Sequence, residues 1–540
     1  MMPAIDDVTG TDESARVDGW FMRRVSLGGT PLSQALQHDP MLHRWLAPRP
    51  QTRDAWHAHV QRVRDQARGH DWLTPLAPAI AATGRAAERL GRAATQGVVV
   101  TTGQQPGLFG GPAYTWSKAL SALAMADVLE SSTGVPVAPV FWAATDDADW
   151  IEAAVTHLST SRGLETLSLE GPATDGVAMC DVPLGTMDAA LHALRLASGS
   201  AAHDRVLRII EQAYVPHATI GSAYVQLLRA MLEPLGIAVL DASHAALRTS
   251  ADPFLRRALQ QATAVTDALA TRTREIVAAG FAPQVDVLDD LSLVFRTQTG
   301  PSGRERDRVR ARVPVADAPR IVREAEIGTL GANVLLRPII ERALLPTLGY
   351  HAGPGEYAYF AQVAPIAEVL GLAVPLAVPR WSAEIIERRA ERLREELGLD
   401  DAALRDPHAA ETHVARHAVE PEVQDALERL RVAVETQVRA VREAVTRAEP
   451  VVSPEVVSGL SKDLLLRLDR FERRVTAGVK RREGALMREV AYVRSALRPG
   501  GASPERQLNL VPMLARFGPA IFDAMRLDAH AYAERIVEGD

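Results

Sequence analysis

The sequence predicts an α/β protein: a Rossmann-like parallel sheet core with helical insertions, carrying a long antiparallel α-helical coiled-coil arm. Three observations point there. Residues 97–143 read as strand, glycine-rich turn, helix and strand, the pattern of a right-handed βαβ unit. Several later apolar runs of strand length end in acids or glycine turns, as parallel strands leading into a ligand crevice do. From about Ser382 the apolar residues step by three and four through long charged stretches.

The first strand is Gly97 to Thr102, a β-branched run suited to burial on both faces. The turn Gly103 to Pro112 follows, then a helix-compatible stretch, Ala113 to Glu130, and the second strand, Val135 to Ala143. Gly236–Asp241, Leu291–Phe295, Leu345–Tyr350 and Ala373–Val378 supply further strands of the same sheet. The whole divides into an N-terminal helical lead-in packing on the core (1–95), a nucleotide-binding core (96–382) with a mainly helical insertion near 155–232, the arm (383–498), and a C-terminal segment returning to the core (499–540). Residues 299–320, rich in arginine and glycine, read as a mobile loop or hairpin tip. In the arm, Val423, Leu427, Leu430, Val434, Val438, Val441 and Val445 form one stripe, and Leu464 through Leu497 a second. A turn marked by Pro450 and Pro454 joins them, which argues for an antiparallel hairpin and, given the apolar surface left over, a homodimer.

Composition narrows the function. The chain has 540 residues, 47% hydrophobic and 24% charged, so a large core can be buried. A net charge of −7 gives no electrostatic reason to bind nucleic acid. No apolar stretch approaches the roughly 20 residues that cross a bilayer, and the acidic N-terminus has no signal-like apolar region. A cytoplasmic protein without membrane contact is expected. Cys180 is the only cysteine, so a disulfide within the chain is excluded, and its apolar neighbours suggest a structural thiol.

Three constellations could carry chemistry. In the turn after the first strand, Gly103, Gly107, Gly110 and Gly111 let backbone approach a ligand, and the following helix N-terminus attracts anions. Gln104 and Gln105 add amide groups, and Lys118 is a candidate phosphate contact. The turn matches neither a Walker A loop nor G-x-G-x-x-G, and a purely structural turn would use the same glycines. Asp146, Asp147 and Asp149 end the next strand, where acids can bind hydroxyls, an ammonium group or Mg²⁺, or can simply cap a helix. The third is His351 with the turn Gly353, Gly355 and Glu356, again between strand and helix; an imidazole there could transfer protons or merely hydrogen-bond its own turn. No Ser-His-Asp order and no metal-ligand cluster is visible, since His57 and His59 have no further partner.

These motifs together carry a resemblance. GQQPGLFGGPAYTWSKALSA (103–122), the acids after PVFWAA (139–144), NVLLRPIIERALLPT (333–347), GPGEYAYFAQ (353–362) and PERQLN (504–509) resemble the bacillithiol-biosynthesis cysteine-adding enzymes, in order and spacing, over about 97–520. The resemblance implies a cysteine ligase that joins L-cysteine to glucosaminyl malate, with a coiled coil that pairs subunits. It also implies that Asn333, Arg337 and Tyr359 touch substrate. Two positions depart from the family pattern: Ala148 stands where a histidine is usual, and Glu341-Arg342 where Gln-Asp is frequent. A carboxylate is a poor electrophile, so ATP is the expected cofactor, with Mg²⁺ as its companion ion. The alternatives are a nucleotidyltransferase acting on another small sugar or acid, and a coiled-coil scaffold whose core has lost catalysis.

Overall fold

The computed structural model describes residues 19–171, 175–299, 308–447 and 452–539. In chain order its strands and principal helices begin with β1 (Trp20–Arg24), β2 (Val98–Gln104), α1 (Tyr114–Thr133) and β3 (Val137–Ala143). The short helix α2 (Trp150–Ala153) leads into β4 (Val155–Thr160) and β5 (Gly163–Ser168), and β6 (Ala238–Asp241) follows. Next come β7 (Leu291–Thr299), β8 (Arg308–Pro314), β9 (Leu330–Ala332) and α3 (Arg337–Leu344). The core ends with β10 (Thr347–Ala352), α4 (Pro354–Val369), β11 (Ala377–Pro379) and β12 (Ala383–Glu387).

The central sheet has five strands in the order β11-β10-β2-β3-β6, and every pairing is parallel. The chain runs from β2 outward to β3 and β6 and only later returns to the other side with β10 and β11. The order therefore reverses between β2 and β10, where open α/β sheets leave a crevice at the carboxyl ends. Buried strand residues explain the all-parallel sheet: Val98, Val99 and Val100 are at most 1% exposed, with helices on both faces. Helix α1 is buried nearly all round, which fits its position between the sheet and the C-terminal helix (Ala520–Glu538), whose Ile521, Met525 and Ala529 join the same core. Each such fully buried large aliphatic side chain contributes about 1.5–3 kcal/mol.

Several expectations are corrected. Leu291–Phe295 is a strand, but it belongs to a separate antiparallel sheet, β8-β7-β9, because its neighbours hydrogen-bond as a hairpin and not in parallel. The tip of that hairpin, 300–307, lies outside the described residues. The lead-in is not all helix: β1 pairs antiparallel with β12 and so clips the start of the chain to the start of the arm. Residues 155–232 open with the β4–β5 hairpin before turning helical.

The arm contains helices Pro421–Arg447 and Pro454–Arg482, which we call α5 and α6. Pairs Arg431–Asp469 (2.6 Å) and Arg482–Glu420 (3.1 Å) show that they run antiparallel. Pro450, expected to mark their turn, lies outside the described residues. The second apolar stripe is not one helix: it breaks at Glu483, and α7 (Gly484–Leu497) packs on the β4–β5 hairpin and on the helices after β12. Within the arm only part of the expected seam is covered. Val438, Leu468 and Val479 are buried, whereas Val423, Leu430, Val441 and Phe471 are exposed. Among the described residues no helix is long and apolar enough to cross a membrane.

Candidate functional site

A cavity of about 820 Å³ opens where β2, β3, β6 and β10 end, with the β7–β9 sheet as its far wall. Its floor begins at Gly103, where a side chain could not fit: a Cβ there would sit 2.7 Å from the Trp142 carbonyl oxygen of β3. Gln104 and Gln105 line the space beside it.

The rest of the glycine turn departs from expectation. Gly107, Gly110 and Gly111 do not line the cavity; they run beneath it. Leu108 and Phe109, between these glycines, are 1% and 0% exposed, and burying them draws the turn into the core. Phe109 packs edge-on against Tyr214 at 4.9 Å and adopts a left-handed backbone at φ 54°. Asn509 holds the turn there by donating from Nδ2 to the carbonyls of Leu108 (3.2 Å) and Phe109 (3.1 Å). The amide of Ala113, at the start of α1, donates to the Leu508 carbonyl (2.9 Å). The returning tail thus occupies the helix end that was expected to face phosphate.

Lys118 is held by the turns themselves. It is 4% exposed, and Nζ donates to the Gly103 carbonyl (2.9 Å) and Gln104 Oε1 (2.7 Å) while pairing with Glu356 at 2.6 Å. All three ammonium donors are committed. It therefore fixes the two turns while also lining the cavity. Burial pulls its pKa down, against the opposing charge of Glu356. Glu356 caps α4 by accepting from the Gly353 amide (2.7 Å), and Gly353 and Gly355 at that helix end do line the cavity. Burial pushes the Glu356 carboxyl up, but Lys118, Tyr350 and Arg337 outweigh it and hold it below the usual range.

On the facing side, Asp146 and Asp147 line the cavity; Asp149 does not, and instead caps α2 through the Glu152 amide (3.1 Å). Burial and the neighbouring Asp146 charge raise the Asp147 pKa. Glu152, one turn on, went unnoticed in the sequence, although an acid three residues after a helix cap is a known spacing. Its carboxylate accepts from Tyr114 (3.0 Å), Gln104 (3.3 Å) and Gln105 at the cavity edge, and burial raises its pKa too.

His351 is the largest displacement. Strand alternation gives the cavity side of β10 to Tyr350, so the next residue faces the other way. The His351 ring is 1% exposed, neither nitrogen has a partner among the described residues, and burial drives its pKa down to about 3. It cannot compensate for the missing imidazole at Ala148 from that position.

The three residues assigned to substrate do come together. Arg337, paired with Glu341 at 2.9 Å, donates to the Tyr359 hydroxyl (3.3 Å) and lies over the Tyr350 ring. Asn333 is 4% exposed; its Oδ1 accepts from the Leu336 amide (3.0 Å), while Nδ2 has no protein partner although the residue lines the cavity. A buried amide donor left open beside a cavity is a place for a ligand acceptor. Cys180 is half-buried behind the wall, 3.7 Å from Arg248, and burial raises its pKa to about 11, which suits an inert thiol. Among the described residues no cluster of three or more His, Cys, Asp or Glu side chains could hold a metal ion.

Comparison with known proteins agrees with this architecture. Residues 33–381 match the N-terminal Rossmann-like domain of the bacillithiol biosynthesis protein BshC, and residues 383–534 match its C-terminal coiled-coil domain. A protein of Solibacter usitatus named "Putative cysteine ligase BshC" is 31% identical over 467 residues, covering 83% of this chain and 86% of its own. Proteins of the same name are 30% identical in Koribacter versatilis (81% of this chain, 82% of theirs) and 27% in Salinibacter ruber (81% and 82%).

Proposed function

This chain belongs to the bacillithiol-biosynthesis BshC family, and we propose that it is a C–N ligase joining the carboxyl group of L-cysteine to the amine of glucosaminyl malate. The observation that carries the reading is the cavity: its volume is within the range of small-molecule sites, and it sets acids opposite cationic and amide donors. ATP is the cofactor proposed for this space, and the volume of the cavity supports it. The α4 end at Gly353 and Gly355, with Gly103 on the facing turn, would take its phosphates, where a helix terminus favours anions. ATP would supply activation, giving the cysteine carboxyl carbon a leaving group it otherwise lacks. Mg²⁺ would enter with the nucleotide, because it needs few protein ligands when phosphates supply the rest.

The chain's own groups do the remaining work. Asp146 and Asp147 present negative charge to an ammonium group. An amine attacks only as the free base, and the raised pKa of Asp147 suits it to accept the proton as the C–N bond forms and the leaving group departs with the C–O electron pair. Asn333 Nδ2 and the Tyr359 hydroxyl orient the acceptor. The arm, with its exposed Leu430, Val441 and Phe471, would pair two copies. The test is mass spectrometry of the purified protein incubated with glucosaminyl malate, cysteine and ATP–Mg. The expected result is a product heavier than glucosaminyl malate by one cysteinyl residue, formed only with nucleotide. No such product in the complete mixture would overturn the reading.

A further inference from the structure

The wall of the cavity formed by the β7–β9 sheet holds two guanidinium groups side by side, and one of them, Arg312, pairs with no carboxylate among the described residues. Arg310 and Arg312 alternate along β8 and so project from the same face, and Phe295 of β7 stands opposite Arg312 in the pairing. Both guanidinium groups lie over the Phe295 ring, at 4.6 Å and 5.1 Å from its centre. Arg310 donates to the carbonyls of Asp146 and Ala332 and has carboxylate oxygens of Asp146 and Asp147 only at 3.7 and 4.0 Å. Arg312 donates to one neutral acceptor, the Ser292 carbonyl (3.2 Å), and no carboxylate faces it among the described residues. Burial and the adjacent Arg310 charge pull its pKa down. Other cations lining the cavity are matched, Lys118 by Glu356, Arg337 by Glu341 and Arg380 by Glu505, whereas the half-buried Arg312 is not. The open Nδ2 of Asn333 directly follows β9 on the same wall.

We propose that Arg310, Arg312 and Asn333 Nδ2 form an anion subsite that takes a dicarboxylate group, with Phe295 holding the two guanidinium planes in place. Two like charges kept side by side over one ring favour an anion between them, and guanidinium forks bind carboxylate pairwise. Under the ligase reading, on which the chemical identity of this anion rests, the group is the malyl half of the acceptor. The nucleotide phosphates then lie on the opposite side, at α4.

Binding is measured by calorimetry on the full chain, with glucosaminyl malate, L-malate, the unmalylated methyl glucosaminide and ATP–Mg as probes. Arg312→Gln and Arg312→Lys are compared with the wild type, with thermal unfolding to confirm that each variant is folded. The wild type is expected to bind glucosaminyl malate and L-malate but not the methyl glucosaminide. Arg312→Gln should weaken the malyl compounds on the order of tenfold to a hundredfold, the range for a lost charge-assisted pair, while ATP binding is unchanged. Arg312→Lys should recover only part of it. Equal affinity of wild type and Arg312→Gln for glucosaminyl malate overturns the subsite, as does no binding of any malyl compound to the wild type. A selective loss of ATP binding assigns the arginines to phosphate and overturns the dicarboxylate identity. Because these are binding measurements, they stand apart from product formation: a wild type that binds malyl compounds through Arg312 yet forms no ligated product overturns the ligase reading alone.

Discussion

Lys118 of α1 and Glu356 of α4 form a 2.6 Å ion pair that joins the helices following the two adjacent strands β2 and β10. The pair fixes both glycine turns at one end of the sheet, since Lys118 also bonds Gly103 and Glu356 also bonds Gly353. Removing one partner leaves an uncompensated buried charge. Lys118→Met and Glu356→Gln are each expected to lower unfolding stability by about 3 kcal/mol, and the double variant by clearly less than the sum. Urea denaturation of the four proteins in a cycle checks this; strict additivity would show that the pair does not couple the turns.

Under the proposed ligase chemistry, Asp147 would receive the proton released in amide formation. Asp147→Asn is expected to reduce kcat on the order of a hundredfold or more, the usual contribution of a positioned base. Since burial raises this carboxyl, the acid limb of the wild-type pH profile should fall above the ordinary carboxylate range and disappear in the variant. A pH series of initial rates for both proteins decides it.

His351 makes stability depend on pH. The folded protein holds the ring neutral with a pKa of about 3, while the unfolded chain titrates near 6.5. On acidification the unfolded state takes up the proton first, so the contribution is intact above about pH 6.5 and is lost as the pH falls toward 3. At pH 5 the loss amounts to about 2 kcal/mol by linkage. His351→Leu removes two buried, unpaired nitrogens and should flatten the dependence between pH 7 and pH 5 while keeping turnover at neutral pH. Denaturation midpoints at the two pH values are the measurement.

Asn509 ties the C-terminal segment to the glycine turn, accepting from the Val511 amide while donating to Leu108, Phe109 and Thr156. Asn509→Ala strands buried carbonyls, so a loss on the order of 3 kcal/mol is expected, with the turn loosening before the sheet. Hydrogen exchange across 105–116 reads the second effect.

The exposed apolar side chains of the arm should mediate self-association. Replacing Leu430 and Phe471 by glutamate is expected to shift the sedimentation of a dimer to that of a monomer while leaving the helical circular dichroism signal unchanged. An unaltered sedimentation coefficient would place any dimer contact elsewhere.

What the sequence determined by itself was whatever depends on local periodicity and turn chemistry. The run Val98–Val100, the glycine at 103 and the acids after β3 marked a strand, a close approach and a crevice edge within one short stretch. The three- and four-residue steps of Val434, Val438 and Val441 marked the arm, since helical faces repeat within the element. Only the tertiary structure decided which side of each motif faces the cavity. Burial of Leu108 and Phe109 turned half of the glycine loop inward, and the distant tail at Leu508 and Asn509 covered the helix end left behind. His351 was lost to the cavity because β10 gave that face to Tyr350. Lys118 looked free until Glu356 was folded against it. Arg310 and Arg312 stood in a stretch that read as loop, and became a charged wall only when β8 paired with β7, because charge balance is set by neighbours in space and sequence distance does not reveal them.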